Sequence, residues 1–283
     1  MKKIFLTIVI LSVALISFNS CQDLNHPALG DYKKDSNPVG GPLKFYLAFD
    51  GTTTNPLMNA VDSIRANFPT DNPLTSIDGV SGKGIQGVKD KFLTFAKPND
   101  WAVTATSFTI SFWEKHDGQT KNGTNPGAEG IFGIPSTNGH WSGATMFLLF
   151  DAAPVATNAA VKLILVDKNM SDTWLTWEGD GAISGLLDNQ WHHIALVYDA
   201  STSGLTLYRD GTAIGTKTWG THGPINLDDS KITSIRIGNG PQDQNSTGDN
   251  WEGSNWKGGL DQFRLYSTAL TAAEVNALFT KKM

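Results

Sequence analysis

Apolar and polar residues alternate along much of the chain after residue 43. Phe108, Ile110 and Phe112, for example, are separated by single polar residues. An apolar period of two predicts a β-strand with one buried face. From this alternation and from short apolar runs we predict strands at residues 44–49, 92–95, 107–113, 131–134, 146–151, 161–166, 174–177, 194–198, 205–209, 213–218, 232–238 and 260–266.

Turn residues separate these strands at short intervals. Asp210 and Gly211 predict a two-residue hairpin turn between 205–209 and 213–218, because aspartate tolerates positive φ and glycine adopts it without strain. Many short strands with little helix predict an all-β fold. We therefore expect one two-sheet antiparallel sandwich of the jelly-roll type over residues 43–283.

Two segments carry helical patterns instead. At the end of the chain, residues 270–279 combine apolar positions with Thr271 and Glu274, which are spaced as a capping box. This predicts a short C-terminal helix that packs on the sandwich. Residues 57–68 also show apolar positions at helical spacing, within a long loop.

The start of the chain predicts a targeting segment. Two lysines precede an apolar run at 4–18 that is too short for a stable membrane span. Cys21, the single cysteine, follows and resembles the lipidated residue of bacterial lipoproteins. We predict a lipoprotein signal peptide at 1–20, then lipidated Cys21 and a flexible tether at 21–42. The anchor would lie in the outer membrane, on the cell surface or at its periplasmic face. An ordinary secretory signal with an incidental cysteine is the alternative.

Composition narrows the classes of partner. Of the 283 residues, 40% are hydrophobic and 17% are charged, which suffices for a packed core. The net charge of -5 provides no general attraction to nucleic acid or to anionic lipid. We therefore expect no nucleic-acid partner, and membrane contact only through the lipid anchor.

Three segments together resemble one known family. They are 108–113 (FTISFW), 190–211 with its QWHH sequence and LYRDG hairpin, and 259–266 (GLDQFRLY) with the helix that follows. In order and spacing they resemble the laminin-G-like, pentraxin-like branch of the concanavalin A-like lectin/glucanase superfamily. The resemblance covers nearly all of 43–283 and implies two antiparallel sheets, one of them concave. It leaves the function open, because the fold serves lectins, enzymes and adhesion modules.

The sequence lacks the catalytic pattern of the family's glycosidases. Those enzymes need two glutamates on one strand, with carboxyl groups about 5 Å apart for a retaining mechanism. Adjacent His192 and His193 face opposite sides of a strand and cannot bind one metal, so we expect one packed and one exposed histidine. The sequence therefore favours a protein that is not an enzyme. The five glutamates stand far apart, at Glu114, Glu129, Glu178, Glu252 and Glu274.

The resemblance also implies a structural calcium ion between the opening and closing strands. Asp50 and Asp261 match the family's early and late aspartate positions, and the carbonyl of Gly51 is a third candidate ligand. Calcium prefers carboxylate and carbonyl oxygens of this kind. The alternative is that Asp50 only forms a turn and Asp261 only accepts a hydrogen bond. Further candidates in the early loop are Asn55, Asp62 and Asp78.

Tryptophan and amide side chains are the candidates for sugar recognition, because flat rings stack on sugar faces and planar polar groups bind hydroxyls. The resemblance gives Trp113 and Trp191 structural positions. The loop 239–256 is rich in amides and tryptophan, and loops on rigid sandwiches often carry function. The candidate sugar-binding residues are Trp251, Trp141, Trp177, Trp256, Asn250 and Gln244.

Taken together, these features predict a non-catalytic, carbohydrate-binding surface lipoprotein that captures polysaccharide for uptake. The first alternative is an adhesion module that binds a protein partner in the cell envelope. The second is a glycoside hydrolase whose site the sequence does not reveal.

Overall fold

The structure, a computed structural model, describes residues 41–50, 61, 74–98, 100–121, 127–242 and 254–282. The signal peptide, Cys21, the tether up to residue 40 and nearly all of the helical pattern at 57–68 lie outside these residues and stay predictions. Within the described ranges, no helix is long and apolar enough to cross a lipid bilayer.

The larger of two antiparallel sheets contains eight strands. They are β1 (Leu43–Leu47), β2 (Thr75–Asp78), β3 (Lys83–Gln86), β5 (Phe108–Lys115), β10 (His192–Asp199), β11 (Gly204–Arg209), β12 (Thr212–Thr218) and β14 (Gly259–Tyr266). Their order is β12-β11-β10-β5-β14-β3-β2, and β1 also pairs with β14. Strands from both halves of the chain therefore meet at β5 and β14.

The second sheet contains six strands. They are β4 (Leu93–Ala96), β6 (Ala128–Pro135), β7 (Ala144–Ala152), β8 (Ala159–Val166), β9 (Asp172–Trp177) and β13 (Ser234–Ile237), in the order β4-β13-β6-β7-β8-β9. Two short helices accompany the sheets, α1 (Trp101–Thr104) and α2 (Ala272–Lys281). The predicted all-β, two-sheet antiparallel sandwich with a C-terminal helix is confirmed.

All twelve predicted strands are present, with ends shifted by a few residues. The predicted hairpin turn is confirmed as well, because Asp210 and Gly211 both have positive φ, at 50° and 76°. The sequence did not predict β2 and β3. Both are four residues long and largely polar, so neither shows a clear apolar alternation.

The two sheets enclose one apolar core. Phe108, Ile110 and Phe112 are fully buried there, as the alternation of β5 predicts. Phe263 of β14 lies among aromatic rings of both sheets, including Phe132 of β6 at 5.5 Å between ring centroids. Such aromatic contacts add stability beyond the burial of their surface.

Helix α2 covers part of the outer face of the eight-stranded sheet. Its capping box is confirmed, since the Glu274 amide donates to Thr271 Oγ1 and the Thr271 amide donates to Glu274 Oε2. The Phe279 ring stacks on Trp113 at 5.7 Å. The helix therefore helps to bury Trp113 on the outer face of β5.

Candidate functional site

Trp141 and Trp174 form an exposed aromatic pair on the six-stranded sheet. Their ring centroids lie 6.2 Å apart, and the ring planes differ by 7°. Trp141 is 52% exposed and Trp174 is 40% exposed. The two indoles are therefore stacked in parallel, and both stay partly exposed to solvent. We call this pair the tryptophan platform.

The platform rests on a buried apolar layer on the outer face of this sheet. Ile164 of β8 is the register partner of Trp174, and Phe147 of β7 follows in the same row. Both Ile164 and Phe147 are fully buried. The Phe147 ring meets the Trp174 ring edge-on at 6.2 Å. Trp174 therefore stands on close-packed side chains that restrict its orientation.

His140 links the loop that carries Trp141 to strand β9. Its Nδ1 lies 2.9 Å from Ser142 Oγ and also accepts the Ser142 amide, so Nδ1 is the unprotonated nitrogen. Its protonated Nε2 then faces Asp172 Oδ2 at 3.6 Å. The His140 ring packs against Trp141 at 5.0 Å. Since Asp172 lies two residues before Trp174, this network holds the two tryptophans in register.

The loop 239–256, which the sequence indicates as a specificity loop, is attached beside the platform. Gln242 Nε2 donates to the Trp141 carbonyl oxygen at 3.3 Å. Near the other end of the loop, Asn255 Nδ2 donates to Asn239 Oδ1 at 3.2 Å. The sugar-binding roles of three candidates stay predictions, because they lie outside the described residues: Gln244, Asn250 and Trp251.

Two glycines of β6 allow this loop to cross the sheet closely. A Cβ atom on Gly130 would overlap the backbone of Gly240, and one on Gly133 would lie 3.1 Å from Pro241 Cα. A glycine in a strand often marks such a close backbone approach. The glycines therefore place the start of the loop directly over the sheet that carries the platform.

Lys162 provides a charged border to the platform. It pairs with Thr176 across strands β8 and β9, and Thr176 lies two residues after Trp174 on the same strand face. Its Nζ lies 3.0 Å from both Asp151 Oδ2 and Glu178 Oε2. Burial would lower the pKa of Lys162, but hydrogen bonds to these two carboxylates outweigh burial and raise the pKa. The site thus joins aromatic faces to ionised groups that can bind hydroxyls.

Two predicted sugar-binding tryptophans lie in the core instead. Trp256 is fully buried, donates from Nε1 to the Gly259 carbonyl oxygen and meets the Phe150 ring edge-on at 5.5 Å. Trp177 is only 5% exposed and packs in the same core. Neither ring presents a face for sugar stacking, so the structure removes both from the candidate set.

The two faces of strand β9 explain why Trp177 was predicted to bind sugar although Trp174 is the exposed tryptophan. Asp172, Trp174 and Thr176 share one face of the strand, and Leu175 and Trp177 share the other. Polar neighbours at alternate positions indicate the solvent side. Trp174 could therefore have been recognised as the exposed tryptophan of this strand from Asp172 and Thr176.

The two predicted calcium ligands meet at one turn, residues 79–82, between β2 and β3. The Lys83 amide donates to Asp50 Oδ1 at 2.7 Å, and the Val80 amide donates to Asp261 Oδ2 at 2.8 Å. A Cβ atom on Gly82, whose φ is 69°, would overlap Asp50 Oδ1. Tertiary folding thus brings together two aspartates that stand far apart in sequence.

Asp261 is the more unusual of the two aspartates. It is fully buried, and none of the described residues donates a hydrogen bond to its Oδ1. Burial raises the pKa of Asp261 to about 7, and the nearby negative charge of Asp50 adds to this rise. A β-bulge between Asp261 and Arg264 turns the strand here, with Gln262 at a φ of 49°. A buried carboxylate oxygen without a donor fits a cation ligand.

The described residues supply no third acidic side chain to a metal at this turn. No group of three or more His, Cys, Asp or Glu side chains gathers within the described ranges. Asp78 is bound by Lys83 Nζ at 2.6 Å. Three further candidates lie outside the described residues: Gly51, Asn55 and Asp62.

The expectation of one packed and one exposed histidine is wrong, since His192 and His193 are both buried. His192 Nδ1 lies 2.8 Å from Asp210 Oδ2 at the end of the core. His193 Nε2 lies 2.9 Å from Ser111 Oγ, beneath α2. Burial lowers the pKa of His193 to about 4, with help from the positive charge of Arg264. The helix on one face and the core on the other bury both rings.

The described glutamates occupy separate environments. Glu178 pairs with Lys162, and Glu274 caps α2. Glu129 is held by His116 Nε2 at 3.0 Å and by Lys257, whereas Glu114 lies alone in the core. Each carboxylate thus has its own structural setting within the described part of the chain.

Comparison with known proteins agrees with this architecture. Residues 89–276 match the Laminin_G_3 family of the concanavalin A-like lectin/glucanases superfamily. No curated protein matches the sequence.

Three solved structures are similar in fold. Domain 4 of the arabinanase AbnA from Geobacillus stearothermophilus, solved with arabinotriose, aligns at a TM-score of 0.55 and 17% identity, over 84% of this chain and 98% of that domain. The binding domain of Paraclostridial mosquitocidal protein 1 aligns at 0.57 and 17% identity, over 85% and 52%. The botulinum neurotoxin serotype G binding domain aligns at 0.58 and 14%, over 85% and 51%. The chain spans about half the length of the two toxin domains, and at these identities the likeness shows the fold alone.

Proposed function

The chain belongs to the concanavalin A-like lectin/glucanases superfamily, and we propose that it binds a glycan without catalysing a reaction on it. The observation that carries this proposal is the tryptophan platform. Two nearly parallel, half-exposed indoles offer flat apolar faces to the CH groups of a sugar ring. Asp172 and Thr176 on the same strand face supply polar groups beside the rings.

The exposure of the platform supports a binding role. Single apolar side chains on a surface are ordinary, but adjacent aromatic rings bordered by polar groups are typical of binding sites. Each indole that a ligand covers removes a large apolar area from water. The His140 network and the buried layer hold the rings in place, so little conformational entropy is lost when a sugar binds.

The structural neighbours support the same class of ligand by analogy of fold. The AbnA domain is almost completely covered by the alignment and was solved with arabinotriose. An analogy of this kind raises the expectation of glycan binding but does not identify the sugar.

The N-terminal pattern extends the proposal to the cell surface. Cys21 would carry the lipid anchor, and the tether at 21–42 would hold the domain away from the outer membrane. Several acyl chains on one residue would make the attachment stable, since a single chain binds membranes only marginally. In this position the protein would capture polysaccharide for uptake.

A structural calcium ion at the turn 79–82 completes the proposal. Asp261 Oδ1 and the Asp50 carboxylate would hold it, together with backbone carbonyl oxygens. The ion would neutralise two aspartates that meet at one turn. Its role would be to fix the β2–β3 hairpin against β14.

Binding is tested by native gel electrophoresis in gels that contain soluble arabinan, laminarin, xylan, galactan or dextran. We expect at least one polysaccharide to retard the wild-type protein. Trp141→Ala and Trp174→Ala should each weaken this retardation at least about tenfold, equal to about 1.4 kcal/mol. The control is Val103→Ala, which removes a 72% exposed apolar side chain from α1.

Three results would contradict the proposal. The first is retardation by none of these polysaccharides, together with stable capture of an envelope protein. The second is equal retardation of the wild type and both tryptophan variants. The third is release of new reducing ends from a polysaccharide by the wild-type protein, which would reveal a glycoside hydrolase.

A further inference from the structure

An open groove of about 590 Å³ crosses one end of the eight-stranded sheet. Its walls come from β2 and β3, from the end of β5 with the two residues that follow it, from Asn189 before β10 and from the two residues before β14. Small-ligand sites in proteins are generally of this size. The polar residues along it include Gln86, Lys115, Asp117, Asn189 and Lys257.

Glycine backbone forms the floor of the groove. A Cβ atom on Gly258 would come within 2.6 Å of both the Lys115 carbonyl oxygen and Trp256 Cζ2. Any other residue would therefore disturb the fully buried Trp256. Glycine at this position therefore lets the Lys115 backbone and the Trp256 ring approach closely.

Trp191 and Ile77 form an apolar border beside this floor. A Cβ atom on Gly259 would lie 3.0 Å from Trp191 Cη2 and 3.1 Å from Ile77 Cδ1. Both side chains thus close over the same glycine, and both are only partly buried. The family resemblance gives Trp191 a structural position, and its ring lies next to Gly259, which follows the groove residue Gly258.

A buried ionic network holds the other side of the groove in place. Glu129 is 3% exposed and accepts the Lys257 amide at 2.8 Å and Lys257 Nζ at 2.9 Å. His116 Nε2 lies 3.0 Å from the same carboxylate. Burial would raise the pKa of Glu129, but its bonds to His116 and Lys257 outweigh burial and lower the pKa. Lys257 is therefore fixed before any ligand arrives, which favours binding.

The charges along the groove favour a neutral ligand. Lys257 pairs with Glu129 and Asp78 with Lys83, which leaves one charge of each sign along the groove, on Lys115 and Asp117. The amides of Gln86 and Asn189 add donors and acceptors without charge. Such a mixture can bind hydroxyl groups from several directions, whereas it provides no excess charge for a phosphate or a carboxylate.

We propose that this groove is a second carbohydrate-binding site, for one or two units of a neutral glycan. An apolar sugar face would lie against Trp191 and Ile77. The sugar hydroxyls would bind Gln86, Lys115, Asp117 and Asn189. The site goes beyond the proposed function because it lies on the other sheet from the tryptophan platform. Two sites on one domain would raise the avidity for a long polysaccharide.

The test follows each tryptophan separately. The protein has nine tryptophans, and labelling with 5-fluorotryptophan gives each its own ¹⁹F resonance, assigned with Trp191→Phe, Trp141→Phe and Trp174→Phe. Arabinotriose, laminaritriose and cellotriose are then titrated to about 10 mM, which detects millimolar Kd values. We expect at least one trisaccharide to shift the Trp191 resonance in a saturable way.

Variants within the groove distinguish binding from a distant effect. Asn189→Gly removes the amide but keeps the positive φ of 66°, and Lys115→Met removes the ammonium at nearly equal length. The double variant should raise the Kd seen at Trp191 at least about tenfold. The responses of Trp141 and Trp174 should not change. Lys217→Met, which alters an exposed lysine of β12, is the matched control.

The outcomes separate the two sites. Shifts at Trp141 and Trp174 without any at Trp191 would overturn the groove proposal and leave the proposed function standing. A saturable shift at Trp191 alone would support the groove and count against the platform. An unchanged Kd at Trp191 in the double variant would also overturn the groove proposal, because its polar residues would then contribute nothing.

Discussion

Glu114 offers a sharp test of how this sandwich tolerates charge. It follows Phe108, Ile110 and Phe112 on the inward face of β5 and is fully buried. No donor among the described residues reaches either carboxylate oxygen. Burial raises the pKa of Glu114 well above its usual range; Arg209 acts in the opposite direction, while Asp188 and Asp210 add to the rise. We therefore expect the folded protein to hold Glu114 in its neutral form.

The perturbation is Glu114→Leu, which replaces the carboxyl group with hydrocarbon of similar size. A buried polar group without partners costs about 1–3 kcal/mol, so the variant should be more stable by about that amount even when Glu114 is neutral. A raised folded pKa adds a pH dependence. The neutral carboxyl group contributes to the free energy of unfolding. This contribution is fully present below the unfolded pKa of about 4.3 and is lost as the pH rises through the folded pKa. Within that window, each pH unit lowers the stability of the wild type relative to the variant by about 1.4 kcal/mol.

The assay is urea unfolding, followed by tryptophan fluorescence, between about pH 5 and about pH 8. We expect the stability difference between Glu114→Leu and the wild type to grow with pH. Glu114→Gln is the control, because it abolishes the titration but leaves a buried polar group. The stability of Glu114→Gln should therefore depend on pH as weakly as that of Glu114→Leu, but Glu114→Gln should not show the same increase in stability over the wild type.

Two results would refute this reasoning. Parallel pH profiles for the wild type and Glu114→Leu would mean that the carboxyl group has the same pKa in both states. A leucine variant that is less stable by about 3–5 kcal/mol at neutral pH would mean that Glu114 is ionised and forms a buried ion pair, with Arg209 as its partner.

Three further predictions concern other parts of the fold. Trp256→Ala should lower the free energy of unfolding by about 3–5 kcal/mol in urea titrations, because it removes a fully buried indole; a loss as small as that of Trp141→Ala would contradict the core assignment. Calcium at about 100 times its Kd should raise the stability by about 2.7 kcal/mol in thermal unfolding, and Asp261→Asn should abolish the response; no response in the wild type would remove the proposed ion. The hydrogen bond that His192 donates to the Asp210 carboxylate raises the pKa of His192. The stability that this bond contributes is present below the unfolded histidine pKa and is lost as the pH rises through the folded pKa. Asp210→Asn should therefore destabilise more near about pH 5.5 than near about pH 8 in urea unfolding, and an equal loss at both would contradict the pairing.

Local patterns predicted the fold well because the apolar alternation of a strand is visible within a few residues. The alternation of Phe108, Ile110 and Phe112 and the Asp210-Gly211 turn each depend only on near neighbours. Strands β2 and β3 were missed because they are held by pairing, β3 with β14 and β2 with β3, and not by an apolar pattern of their own.

Functional surfaces were harder to predict because they depend on which side of a strand faces water. Trp174 and Trp177 are chemically identical and three residues apart, yet one forms the platform and the other the core. Only polar Asp172 and Thr176 indicated the difference. Trp256 was assigned to a binding loop because nothing in its neighbourhood showed that its ring would fill the end of the sandwich.

The sequence by itself determined the strand pattern, the C-terminal helix, the family and the absence of a glutamate pair suited to glycoside hydrolysis. The strands and the helix follow from periodicity and spacing, and the family from the resemblance of three motifs; none of these needs knowledge of distant contacts. Tertiary structure alone decided that Trp141 meets Trp174, that Asp50 and Asp261 share one turn, and that a groove forms over Gly258. Each of these sites joins segments far apart along the chain, and the geometry of such contacts is set only when the two sheets pack.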